Sequence, residues 1–205
     1  MTELLAVAVI TILAVISPGA DFAMVTRNSY LHGRRAGLLA AAGIALGVQV
    51  HVFYTMLGVG LLIAHTPSLF LAIKLVGAAY LVYIGYRTFV AKAVLQPDLS
   101  AQPAGSALAA LRSGFMTNAL NPKTTLFVLS TYTQVVGADT ATAAQFGYGL
   151  FMSLAHWLWF SLVALFFSDQ RLRGAMLRGQ NVLNKGIGAV LVGLGLTLAL
   201  APMAR

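Results

Sequence analysis

Along most of this chain apolar residues follow one another, with neither the two-residue alternation of a half-buried strand nor the narrow stripe of a surface helix. Six apolar stretches stand out, at roughly 4–26, 36–63, 68–91, 111–136, 146–168 and 184–203. Each is close to the roughly 20 residues that an α-helix needs to cross the hydrocarbon core of a bilayer. The pattern predicts an all-α polytopic membrane protein with six transmembrane helices in a single transmembrane domain. The most polar connection, Gln96 to Ser106, carries Pro97, Asp98, Pro103 and Gly105 and reads as a linker. With its flanks it spans about 92–110, between a first half at about 4–91 and a second at about 111–203. The first stretch opens Met1-Thr2-Glu3, without the Lys or Arg that precedes the apolar part of a cleavable signal, and is expected to be a span.

Composition sharpens this picture. Hydrophobic residues make up 59% and charged residues 9% of the 205 residues, with a mean hydropathy of +0.85, which excludes an ordinary soluble domain. A net charge of +8 would suit nucleic acid if the basic residues gathered on one folded face. They lie instead between the apolar stretches, so no nucleic-acid partner is expected. Arg27, Arg34 and Arg35 fall in the first connection, Arg87, Lys92 and Arg112 in or beside the third, and Arg171, Arg173, Arg178 and Lys185 in the fifth. The second and fourth connections have none. Because Lys and Arg are retained on the cytoplasmic side, with anionic lipid beneath them, both termini are expected outside an inner (plasma) membrane. Lys74 is expected to snorkel at the outer face.

Three spans per half means that the fourth span enters the membrane opposite to the first, so any internal repeat is inverted. Three matches occur in the same order: Ser17-Pro18-Gly19 with Asn121-Pro122-Lys123, His51 with His156, and Lys74-x-x-Gly77-Ala78 with Lys185-x-x-Gly188-Ala189. Their offsets are 104, 105 and 111 residues. Such ordered similarity predicts two inverted three-helix repeats.

Candidate chemistry sits where a span is interrupted. A proline within a span frees backbone groups that lipid cannot satisfy, so Pro18 with Gly19, and Pro122 with Asn118 and Asn121, predict two broken helices meeting at mid-membrane. The segment after each break begins there, and its N-terminal N–H groups favour a carboxylate. Lys123 lies 11 residues past Arg112, roughly 16 Å into a core about 30 Å thick. A central ammonium needs a partner or a pathway: Lys123 either binds a substrate carboxylate or pairs with Asp21. Asp21 is a candidate for a substrate amino group or for a proton, or an interfacial residue. His51 and His156 are candidate proton relays or interhelical hydrogen bonders. Trp157, Trp159, Tyr80, Tyr83 and Tyr86 are belt or pocket surface.

The sequence has no Cys, and its acids and histidines never fall at metal-ligand spacing within one span. There is no phosphate-binding Gly-x-x-x-x-Gly-Lys loop, nucleophile elbow or dinucleotide fingerprint. No cofactor, metal or enzymatic chemistry is expected; what is left is a secondary transporter built around a central site.

At these residues the sequence resembles the LysE/RhtB family of amino-acid exporters. Ser17-Pro18-Gly19-Ala20-Asp21 is similar to the family's Pro-Gly-Pro motif followed by Asp or Asn, with Ala20 in place of the second proline. Arg34-Arg35-Ala36-Gly37 leads into Gly43 and Gly47 as in its Gly-rich second span, and Asn118-Ala119-Leu120-Asn121-Pro122-Lys123 looks like its fourth-span signature. The resemblance implies efflux of an amino acid or derivative by proton antiport, from a homodimer or monomer. Two rival expectations are an inorganic-cation exporter and a membrane scaffold subunit that transports nothing.

Overall fold

The computed structural model describes residues 2–65, 67–91, 106–137 and 139–200. Among them are seven α-helices and no strand: α1 Thr2–Ile16, α2 Ala20–His65, α3 Pro67–Val90, α4 Ala107–Ala119, α5 Pro122–Gln134, α6 Thr142–Ser168 and α7 Gln170–Leu200. The first expected span is interrupted where Pro18 predicts. The last turn of α1 closes with Ser17 N–H on the Leu13 carbonyl at 3.1 Å, and α2 opens with Ala23 N–H on the Gly19 carbonyl at 3.0 Å. Between them Pro18 has no N–H to offer and restrains Ser17 from helical geometry.

The fourth expected span is divided in the same way. Ser106 caps α4 by accepting from Ala109 N–H, and α4 ends at Ala119. Asn121 then caps α5, its Oδ1 accepting from Lys123 N–H at 3.0 Å, with Pro122 at the first helical position. An Asn cap followed by Pro is a strong start signal, since proline's missing N–H falls where no intrahelical partner exists.

Two connections differ from expectation. The first, around 27–35, is helical: α2 runs straight through it except at Gly33, where φ 80 and ψ 178 break the helix. Asn28 and Ser29 return their side chains to the Met24 and Val25 carbonyls, so polar residues there do not end the helix. The last element starts at Gln170, well before the expected 184. Among the described residues two stretches are long and apolar enough to cross a membrane, the 39-residue Ala20–Gly58 and the 27-residue helix Thr142–Ser168. The linker at 92–105, Arg205, and the side chains of Lys74, Arg171, Arg173 and Arg178 lie outside the described residues.

Helix α2 packs against α4 and α6, and α3 against α7. Glycines set these distances. A Cβ on Gly43 would run into the Leu111 carbonyl of α4, and one on Gly114 into the Ala40 carbonyl of α2. The α3–α7 contact is similar, with Gly85 against the Gly188 carbonyl and Val192 backbone. Small residues at such crossings let backbones approach and gain dispersion contact that lipid does not compete away. Two apolar clusters flank the middle of the bundle. One gathers Val15, Phe22, Val25, Ile44, Phe160, Val163 and Phe167. The other gathers Val7, Ile10, Ala14, Val48, Val52, Phe127, Val128, Tyr132 and Met152. The breaks after α1 and α4 lie between them.

Candidate functional site

The two breaks meet. Asp21, in the first turn of α2, is 6% exposed, and Asn118, in the last turn of α4, is fully buried. Asn118 Nδ2 donates to Asp21 Oδ2 at 2.8 Å and Asn121 Nδ2 donates to the same oxygen at 3.1 Å. Asn118 Nδ2 also lies 3.1 Å from Thr124 Oγ1. The other carboxylate oxygen, Asp21 Oδ1, is shielded and has no hydrogen-bond partner among the described residues. One oxygen is thus held by two amides from the opposite break while its twin is left open, a costly arrangement for a buried acid.

Lys123, in the first turn of α5, crosses to the other break. Its Nζ donates to the Ser17 carbonyl at 2.5 Å and to Ser17 Oγ at 3.0 Å, and its aliphatic chain lies over Gly19, where a Cβ would sit 3.3 Å from Lys123 Cδ. Ser17 Oγ is shared further with Thr88 Oγ1 at 2.8 Å. The hydrogen bonds of the two residues go elsewhere, the ammonium to the backbone end of α1 and Asp21 Oδ2 to the asparagines, while the opposite charges of Lys123 and Asp21 attract each other across the cleft that both line. A cation at a helix N-terminus opposes the helix dipole. With the start of α2 also converging here, the cleft offers an anion the Lys123 ammonium and two helix N-termini, beside the Asp21 carboxylate.

Ser17, Gly19, Asp21, Asn121, Lys123, Thr124 and His156 line a small cleft whose remaining walls are Ala14, Val15, Phe22, Phe127 and Phe160. Its free space admits about one water, so a larger guest requires the helices to part. Polar groups and aromatic rings thus share the lining, as in most small-molecule sites.

The two histidines differ in their surroundings. His156 Nδ1 is 2.7 Å from the Met152 carbonyl; a carbonyl only accepts, so Nδ1 carries the hydrogen and, in the neutral ring, Nε2 is an acceptor. Its ring lies between Phe127 and Phe160, with centroids 6.2 and 6.1 Å away. His51, fully buried, stands behind the cleft. Its Nε2 donates to the Asn118 carbonyl at 2.8 Å, leaving Nδ1 of the neutral ring to accept from Tyr54 OH at 2.7 Å. Pro18 and Pro122 shape the breaks without lining the cleft.

Of the residues singled out from sequence, Gly19, Asp21, Asn121, Lys123 and His156 come together at the cleft, while Asn118 and His51 support it from behind. Ser17, Thr124 and the phenylalanines were not anticipated. A Phe in an apolar span carries no signal by itself, although Lys123 with Phe127 and His156 with Phe160 are each one helical turn apart. Among the described residues no group of three or more acids, histidines or cysteines is placed to hold a metal ion.

A family model described as LysE type translocator matches residues 12–201. The threonine efflux protein of Escherichia coli K12 is 29% identical over 96% of this chain and 97% of its own length. The membrane protein YrhP of Bacillus subtilis is 30% identical over 98% of this chain and its whole length. A leucine efflux protein of Klebsiella pneumoniae is 34% identical over 62% of this chain and 60% of its own. No solved structure matches.

Proposed function

Because this chain belongs to the LysE type translocator family and is therefore a membrane transport protein, we propose that it exports an amino acid or amino-acid derivative from the cytoplasm. The observation that carries the reading is the convergence of Lys123, Asp21 and two helix N-termini on one cleft with apolar walls. A zwitterion matches it group by group. Its carboxylate replaces Ser17 at Lys123 and meets the starts of α2 and α5, and its ammonium meets Asp21 Oδ1. Its side chain lies among Phe22, Phe127 and Phe160. The efflux activities named for the relatives support the same class of substrate.

In this reading Gly19, Asp21, Asn121 and Lys123 bind substrate, Asn118 positions Asp21, and Pro18 and Pro122 keep both helix starts in the membrane. The chain is one transmembrane domain of six spans in two inverted repeats, about 4–91 and 111–203, joined by the segment at 92–110. α1 with the first leg of α2, and α4 with α5, are the equivalent broken spans. The packing of α2 on α6 and of α3 on α7 supports this pairing, since these are the elements an inverted repeat makes equivalent. The protein resides in the inner membrane with both termini external. Export is driven by proton antiport, with Asp21 as proton acceptor and His51 and His156 as candidate relays. Lipid surrounds it, as a monomer or homodimer.

Cells supplied with a panel of dipeptides and expressing the protein test the function: intracellular peptidases release each amino acid, and its appearance in the medium is timed. Faster release of one class is expected. Release unchanged for every amino acid, with the protein inserted in the membrane, refutes the assignment.

A further inference from the structure

Lys123 and Phe127 both reach the cleft, and the same face of α5 continues one and two turns on through Ser130 and Gln134. Helix α1 runs beside it: Val7, Ile10 and Ala14 share a cluster with Phe127, Val128 and Tyr132. At the far end Glu3 Oε1 accepts from Gly137 N–H at 3.1 Å and Thr140 Oγ1 at 2.8 Å, just beyond the end of α5. Both helices therefore lead from the cleft to one end of the bundle. From Lys123 to Gln134 is 11 residues, roughly 16 Å of helix and about half the hydrocarbon thickness.

Polar atoms without partners collect along this line. Thr11 Oγ1 on α1, Thr55 Oγ1 on α2, Ser130 Oγ and both amide atoms of Gln134 on α5 are all shielded, and none has a hydrogen-bond partner among the described residues. Thr11 sits between Ile10 and Ala14 of the shared cluster, and Thr55 one turn beyond Val52 of the same cluster. Such orphans are costly in a protein interior and rarer still in a membrane. The remaining orphaned side chains beyond Asp21 and Asn118, those of Thr26, Trp159 and Ser161, lie on segments bordering the aromatic cluster of Phe22, Phe160 and Phe167.

We propose that the seam formed by Thr11, Thr55, Ser130 and Gln134 is a closed hydrophilic path from the central cleft to the Glu3–Gly137 end, opened when α5 moves away from α1. Its hydroxyls and amide take the place of water on a zwitterion passing between the cleft and the outside. The path rests on the export reading for its direction, and the Glu3 contacts with Gly137 and Thr140 close its mouth.

The chain contains no Cys, so single replacements report without background. Thr11→Cys, Ser130→Cys and Gln134→Cys, with Val128→Cys as a buried position off the line, are treated in intact cells with a membrane-impermeant, hydrophilic thiol reagent. Labelling at the three seam positions at least about tenfold faster than at Val128→Cys is expected, as when an open state is visited in small population. Equal, negligible labelling at all four, or labelling only from the cytoplasmic side of inverted vesicles, overturns the path. Ser130→Ala and Gln134→Leu provide a second measure in detergent and in the release assay. The folded protein should melt no lower than the parent while release slows; a lower melting temperature with unchanged release assigns these residues to structure alone. Labelling does not depend on the exported solute, so failure of the path and failure of the export reading are told apart.

Discussion

Asn118 and Asp21 stand 97 residues apart in the chain and 2.8 Å apart in space. Between them they tie the end of α4 to the start of α2. Replacement of Asn118 by Leu, close in shape but unable to donate, leaves Asp21 with one donor and orphans Thr124 Oγ1. A loss of about 1–3 kcal/mol of stability is expected, read as a lower melting temperature in detergent, together with loss of release. An unchanged melting temperature would show that the bond contributes nothing.

Lys123→Met keeps the aliphatic chain over Gly19 and removes the ammonium. The protein should insert and melt near the parent, because the desolvation of the buried ammonium offsets most of what its hydrogen bonds to a carbonyl and a hydroxyl contribute. Release should fall by at least about tenfold, the equivalent of one charged hydrogen bond to the bound solute. Release at the parental rate removes Lys123 from the binding site.

Asp21→Asn removes the proton acceptor together with the charged partner of the solute ammonium, so transport by the variant is expected to be slower as well as uncoupled. In vesicles, an imposed pH gradient should accelerate transport by the parent and leave the variant indifferent. A variant still responding to the gradient hands the proton to another group, with His156 the next residue to replace.

His156→Phe preserves a ring between Phe127 and Phe160 and deletes the acceptor nitrogen of a residue that lines the cleft. Stability should stay within about 1 kcal/mol of the parent, while the order of preference in the dipeptide panel shifts from hydroxyl-bearing toward purely aliphatic amino acids. An identical order in both proteins denies Nε2 any contact with solute.

Gly33→Ala tests the break inside α2. At φ 80 and ψ 178 the backbone lies where residues other than glycine are strained, although a Cβ would meet nothing within 4 Å. A cost of about 1–3 kcal/mol is expected from conformation alone, measured by thermal unfolding; a neutral substitution would mean that the two legs of α2 can join into one straight helix.

Much of the site was legible because proline and charge are loud in an apolar sequence. Pro18 and Pro122 marked both interruptions, and Lys123, at calculated mid-depth, marked the cleft. The contacts that decide roles were not legible. Lys123 reaches Ser17 rather than Asp21, and His51 reaches the Asn118 carbonyl, across 106 and 67 residues of chain, separations that no local spacing encodes. The element boundaries that failed share one cause. Hydropathy reports where lipid would be and is silent about helices continuing beyond it, so the polar starts of α7 and the stretch around Arg27 to Arg35 read as connections. There Asn28 and Ser29 bond back into the helix and Gly33 alone supplies the bend.

The glycine contacts have a mechanical corollary. With Gly43 against the Leu111 carbonyl and Gly114 against the Ala40 carbonyl, α4 and α2 are interlocked backbone to backbone. Leu120 and Asn121 are the uncoiled residues through which α5 joins α4. The opening proposed for the seam would therefore bend at that two-residue joint, with α5 as a lever whose fulcrum is the Asn121 cap and whose inner tip bears Lys123.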